Sequence, residues 1–257
     1  MTQENTRSQR FLVSMTPKMI REAARNSKAL IILPTGAIEQ HGPHLPVGVD
    51  SLLGTSFVSR LIAGLNEDEP VWFAPPIWIG KSNEHDGYPG TLSLSGDSFR
   101  AQVLSTAEQV KQMGFSRIAL LNTHGGNQPV LQTTVLEIET SFGIKASILD
   151  SHPITDLDPR EEQFGIHAGQ YETSLMLAIC PDMVEMDKAD CYWMDDRFPK
   201  GSFAAENHFA TFAWKIADFT PSGTLGDATL ASASDGERWV TGVIDVLLKQ
   251  IREKVSG

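Results

Sequence analysis

The chain reads as an α/β protein with three layers, α/β/α, around a mainly parallel central sheet. Three observations predict this. Short apolar runs alternate with longer segments of helical periodicity along most of the 257 residues, and strands separated by helices pair in parallel. The first such run, Ala29 to Leu33, has the character of a buried strand. Polar loops bearing histidine follow the strands, where a parallel sheet places its ligand sites.

In order, Thr16-Pro17 opens a short helix to about Asn26, with Thr as the N-cap and Pro at the first helical position. A strand at 30–33 follows. Leu52, Leu53, Phe57, Val58, Leu61, Ile62 and Leu65 then recur at helical spacing. Asp50 is expected to cap that helix or to lie one turn before it, near its positive end. Val71 to Ile79 forms a second strand, bent or at a sheet edge because Pro75-Pro76 interrupts it.

A helix runs from Ser95, with Ser95 or Asp97 as cap, to Gly114. Arg117 to Asn122 is the third strand, a helix from near Pro129 ends at Gly143, and Lys145 to Leu149 is the fourth strand. The polar stretch 156–165 leads to a helix ending near Ile179. A last helix over 234–254 carries Trp239, Val243, Val246, Leu247 and Ile251 on one face. Residues 1–10 read as a flexible or loosely docked arm of a single domain that spans 1–257. The 181–221 segment, with Trp193, Phe198, Phe203 and Trp214, reads as a surface excursion or a subunit contact.

The composition narrows the function. A net charge of −11, from 21 basic and 32 acidic residues, leaves no basic face for nucleic acid. No apolar run reaches the roughly 20 residues that span a bilayer. The polar N-terminus lacks a signal-type apolar core. Cys180 and Cys191 lack metal-type spacing. A cytoplasmic protein with reduced thiols is expected.

The chemistry gathers in the loops. Glu39 and His41 are two residues apart, so in extended backbone they project to one side, and Asp50 follows a short loop later. Carboxylates and imidazoles so placed grip a divalent cation. Alone, this would be an ordinary solvated loop. However, His85 in Asn83-Glu84-His85 and His124 in His124-Gly125-Gly126-Asn127 also follow strands, and His167 lies in a fourth Gly-containing segment. His41, His85 and His124 are therefore expected to converge on one rim.

The stretch from Glu39 to Pro46 (Glu-Gln-His-Gly-Pro-His-Leu-Pro) with Asp50, Asn83-Glu84-His85 before Pro89-Gly90-Thr91, His124-Gly125-Gly126-Asn127, and His167-Ala168-Gly169 with Glu172-Thr173-Ser174 together resemble the creatininase (creatinine amidohydrolase) family. The likeness runs from about residue 15 into the C-terminal helix and includes Gly226-Asp227-Ala228-Thr229. It implies a creatininase-like fold, a homo-oligomer such as the family's hexamers, and two divalent ions of Zn, Mn or Fe. By position, Glu39 and His124 bind one ion, His41 binds the other, and Asp50 bridges them. In creatininase a Glu lies two residues after the histidine matching His124; here that position is Gly126, and Glu172 is the natural replacement. On one regular helix, residues five apart differ by about 140°, so His167 is expected just before the helix and Glu172 in its first turn.

Three carboxylates, a bridging hydroxide and two neutral imidazoles would balance two dications, whereas with one ion a carboxylate should hold a proton. The implied reaction is attack of metal-activated hydroxide on a small cyclic amide or formamide, cleaving its C–N bond. His167 is the implied proton shuttle, and the N–H groups of Gly125 and Gly126 the oxyanion donors. Asn83, Glu84 and His85 would orient ligands or substrate, Tyr88 would line the pocket, and His44 is structural. Other readings are opening of an oxidised cyclic polyol of the keto-inositol type, peptide maturation, and a non-catalytic metal-binding assembly role.

Overall fold

Four parallel strands, β1 (Leu30–Thr35), β2 (Val71–Phe73), β3 (Arg117–Asn122) and β4 (Lys145–Leu149), form the central sheet in the order β2-β1-β3-β4. The register sets Ile32 beside Phe73 and Ala119, and Thr35 beside Asn122. The computed structural model describes residues 10–151, 156–194 and 213–256.

Side chains alternate across a strand, so β1 feeds two cores. Leu30 and Ile32 pack with α2 (Val49–Gly64) and α7 (Ala233–Ser256), among Phe57, Leu61, Val243, Leu247 and Ile251. Ile31 and Leu33 pack with α3 (Gly96–Gln112) and α4 (Gln128–Phe142), among Phe99, Val103, Leu131 and Ile138. Each fully buried aliphatic side chain contributes about 1.5–3 kcal/mol. The result is the expected α/β/α arrangement. The other helices are α1 (Pro17–Ala23), α5 (Pro159–Phe164) and α6 (Gln170–Ile179).

Local chemistry decides the boundaries. Thr16 caps α1 through Met19 N–H at 3.4 Å, and Ser95, not Asp97, caps α3 through Ser98 N–H at 3.1 Å. Gly143, at φ 65°, ends α4 in the left-handed region. Asp50 is neither a cap nor a turn ahead of its helix: Gly48 is the N-cap of α2 and Asp50 lies in the first turn. The expected 71–79 strand keeps only Val71–Phe73 in the ladder, because Pro75 and Pro76 have no N–H to give. A single parallel bridge resumes at Ile77, opposite Thr35. Pro34 stays within β1 because its missing donor falls where β2 has left the ladder; its carbonyl accepts from Ile77 N–H at 2.9 Å.

Arg10, the last residue of the expected arm, is docked on the sheet edge. Its guanidinium donates to the carbonyls of Asn66, Glu69 and Val71, and its own carbonyl accepts from Phe73 N–H. The rest of that arm, residues 1–9, lies outside the described residues. So do His152, His208, Phe198 and Phe203. The polar stretch after 156 contains α5, started by Asp158, whose carboxylate accepts from Arg160 N–H at 2.9 Å. Within 181–221, Cys191–Tyr192 forms β5, antiparallel to β6 (Gly226–Asp227). Trp193 there stacks under the Arg160 guanidinium, 4.4 Å from the ring centre. Among the described residues, no helix is long and apolar enough to cross a membrane.

Candidate metal centre

The ends of β1, β2 and β3 each contribute a group. The loop after β1 carries Glu39 and His41 and is closed by Glu39 N–H donating to the Val47 carbonyl at 2.8 Å. Asp50 follows in the first turn of α2, and its carbonyl accepts from Thr123 Oγ1 at 2.7 Å, tying the end of β3 to that turn. His124 comes one residue later. His85 ends a tight 3-10 turn, Asn83–His85, in the segment after β2. His167 is held beside Leu225 by backbone hydrogen bonds in both directions. The helix starts only at Gln170, so His167 precedes it and Glu172 sits in its first turn. Ala168 between them has φ 53°, rare for a residue with a side chain and typical of constrained sites. Its N–H donates to Glu172 Oε2 at 2.6 Å.

These groups meet. Asp50 Oδ1 lies 3.6 Å from His41 Nε2, and Asp50 Oδ2 lies 3.3 Å from His124 Nδ1. Glu172 Oε2 is 3.8 Å from His41 Nε2, and Glu39 Oε2 is 3.4 Å from His124 Nε2. Such separations are long for hydrogen bonds. Those from Asp50 and Glu172 to His41 Nε2 and His124 Nδ1 suit atoms sharing an ion, since ligands about 2.0–2.2 Å from a tetrahedral centre stand roughly 3.3–3.6 Å apart. Glu39, His41 and Asp50 are almost wholly buried, yet among the described residues Glu39 Oε2, His41 Nε2 and Asp50 Oδ2 have no hydrogen-bond partner. Leaving a buried polar atom unpaired costs about 1–3 kcal/mol, more for a charged one. A cation would satisfy all three, so the residues present fit a metal. Among the described residues, three groupings hold candidate ligand atoms within 4.8 Å of one another: Glu39-His41-His167, Glu39-Glu84-His124 and His41-Asp50-Glu172.

Backbone carbonyls, which can only accept, orient the rings. His41 Nδ1 donates to the Glu39 carbonyl at 3.0 Å, which turns Nε2 to the cluster. His124 Nε2 donates to the Lys81 carbonyl at 2.9 Å, which leaves Nδ1 facing Asp50. Histidine ligands of metals are characteristically held this way through the other nitrogen.

The electrostatics tell the same story. Burial raises the Glu39 carboxyl to about 8, and Asp50 adds to the rise against His124 and His41. Burial also raises Glu172, with Asp50 adding. Burial opposes charge on His41 and His124, but Asp50, Glu172 and Glu39 around the first, and Glu39, Asp50 and Glu84 around the second, raise them to about 9 and about 10. Asp50 is pulled down despite burial by His41 and His124.

The other expected residues divide. Glu84 reaches His124 from its far side, with Oε1 3.8 Å from Nε2 and Oε2 paired to Lys81 Nζ at 2.7 Å. His85 Nε2 lies 3.4 Å from Glu39 Oε1. Asn83 is exposed, outside the buried cluster. Tyr88 gives its hydroxyl to the Thr220 carbonyl at 2.8 Å and packs with Met194, Ile216 and Leu225, so it anchors the 213–225 segment. His44 is buried, with Nε2 2.8 Å from Thr173 Oγ1, and burial lowers it to about 4. Gly125 and Gly126 form a tight turn directly after His124. One site residue went unanticipated: Gln40 contacts both His85 and His167, and its position between Glu39 and His41 was the available signal.

A parallel sheet whose strand ends collect buried, unpaired imidazole and carboxylate atoms has the build of a metal-dependent hydrolase. The chain belongs to the creatininase family: the family model for creatininase, creatinine amidohydrolase, matches residues 14–251. It is thereby a metal-dependent amidohydrolase by class. It is 30% identical to a 3-dehydro-scyllo-inosose hydrolase of Thermotoga maritima, over 95% of this chain and 83% of that one. It is likewise 30% identical to a mycofactocin precursor peptide peptidase of Mycobacterium ulcerans, over 88% of this chain and 86% of that one. A solved manganese form of creatininase superposes with a TM-score of 0.76 at 25% identity, covering 96% of this chain and 99% of the other.

Proposed function

We propose that the chain is a dinuclear metal hydrolase that cleaves the C–N bond of a small cyclic amide or formamide. One observation carries the reading: Asp50 offers one carboxylate oxygen to the His41 side and the other to the His124 side. Glu39, Asp50 and His124 would hold one ion, and His41, Asp50 and Glu172 the other. The donors are all oxygen and nitrogen, which suits Zn, Mn or Fe. Two such ions, when bound, would supply a hydroxide near neutral pH and would polarise the substrate carbonyl.

The chain's own residues do the rest. His167 donates its Nε2 proton to the Gln40 carbonyl at 2.7 Å, so Nδ1 is its free nitrogen, 3.7 Å from Glu39 Oε1. Burial, with His41 and His85 nearby, keeps its proton affinity low, so it starts neutral and can accept a proton at Nδ1 before returning it to the leaving nitrogen. Gly125 and Gly126 bring backbone N–H groups close to the developing oxyanion. Glu172, whose side chain is 22% exposed against 2% or less for Glu39, His41 and Asp50, marks the mouth through which substrate enters.

The resemblance to the Thermotoga maritima hydrolase favours a second reading, opening of an oxidised cyclic polyol at the same ions. The relative from Mycobacterium ulcerans supports a peptidase more weakly, since the reacting atoms here are deeply buried. A panel of lactams, formamides, keto-inositols and short peptides, assayed with and without Mn and Zn, tests the proposal. Metal-dependent release of amine or formate supports it. Ring opening of keto-inositols alone, or peptide cleavage alone, rejects it.

A further inference from the structure

Gln40 is 5% exposed, and its side chain is clasped by the chain. Its Oε1 accepts from Gly42 N–H at 2.9 Å, and its Nε2 donates to the Gly223 carbonyl at 3.1 Å. A backbone N–H can only donate and a carbonyl can only accept, so the amide has one permitted orientation. Gly223, at φ 97°, is moulded to it: a Cβ there would stand 1.8 Å from Gln40 Oε1.

The consequence reaches the cluster. The second hydrogen on Gln40 Nε2 points at His85 Nδ1, 2.9 Å away, so that nitrogen must present its lone pair. His85 therefore carries its proton on Nε2, 3.4 Å from Glu39 Oε1. Oε1 of Glu39 then faces that N–H, while Oε2, at the same 3.4 Å, faces His124 Nε2, the nitrogen that donates to the Lys81 carbonyl. The backbone carbonyl of the same residue fixes the proton of His167 on Nε2.

We propose that Gln40 is a positioning residue: its amide sets the tautomer of His85, and through it the ring N–H that faces Oε1 of the candidate metal ligand Glu39. The proposal rests on the metal reading above. Its tautomer test needs neither metal nor turnover, so the two can fail separately.

The experiment is 15N–1H spectroscopy of the histidine rings in the metal-free full chain, with Zn2+ competition titrations alongside. The wild type should show His85 protonated on Nε2 and bare on Nδ1. Gln40→Glu, which turns the donor into an acceptor, should move the proton to Nδ1 and weaken Zn2+ binding about 10- to 100-fold. Gln40→Met, of similar shape but without the amide, should mix the tautomers and weaken Zn2+ binding less. A wild-type His85 protonated on Nδ1 overturns the proposal, and this holds even if the glutamate variant does not fold. An unchanged tautomer in folded variants that bind Zn2+ more weakly also overturns it, since Gln40 would then act only through packing.

Discussion

Glu84 occupies the space that a side chain at Gly126 would need: a Cβ on Gly126 would stand 2.0 Å from Glu84 Oε1. The same Cβ would meet His124 Nε2 at 2.5 Å and the Lys81 carbonyl at 2.6 Å. Gly126→Ala should therefore cost about 1–3 kcal/mol, as overpacking does. Adding Glu84→Ala should recover only part of it, because the contacts with His124 and Lys81 remain. Urea unfolding of the two single variants and the double variant measures this, and full additivity would show that the two residues do not share the space.

Metal removal should change the pH dependence of stability. Glu39, His41 and His124 have folded values raised to about 8, 9 and 10, above unfolded values of about 4.5 for Glu and 6.5 for His. Groups raised on folding give stability below their unfolded values and lose it as pH climbs through the folded ones. Thus the metal-free protein should lose stability progressively from about pH 4.5, through Glu39, to about pH 10, through His41 and His124. The metal-loaded form, with these protons displaced, should show a flatter profile. Thermal melts at successive pH values with and without EDTA check this.

Loading should also release protons. At pH 7.5, displacing them from His41, His124 and Glu39 should free about two to three protons per chain. Calorimetric titration of Zn2+ in buffers of different ionisation enthalpy reads that number directly. A release near zero would mean that the cluster is already deprotonated.

A buried carboxylate outside the cluster braces it. Glu161 accepts from Gln170 N–H at 2.7 Å and from Asp227 N–H at 2.9 Å, clamping the start of α6 to β6. Gly165, Gly169 and Gly226 make room: a Cβ on any of them would fall within 2.7 Å of that carboxylate. Glu161→Ala should cost about 2–4 kcal/mol by leaving two buried donors unpaired. Hydrogen exchange at Gln170 and Asp227 should quicken, and unchanged protection there would reject the clamp.

Much of this was legible in the sequence, for identifiable reasons. Continuous apolar runs and Gly endings reveal strands and helices from local chemistry, and the parallel sheet then forces His41, His85 and His124 to one rim. The five-residue spacing of His167 and Glu172 likewise placed one before the helix and the other in its first turn. What stayed hidden depends on distant partners. Gln40 acts through Gly223, 183 residues away, and Tyr88 is held by Thr220, 132 residues away. Asp50 looked like a cap because acids favour helix starts generally, and only the coordinates separate a cap from a first-turn residue.

The most direct measurement is a metal-soaked crystal structure with anomalous data collected at the Mn or Zn edge. Two peaks per chain are expected, one between Asp50 and His41 and one between Asp50 and His124, with an Asp50 oxygen about 2.0–2.2 Å from each. A single peak, or two peaks that Asp50 does not touch, would contradict the shared-carboxylate centre.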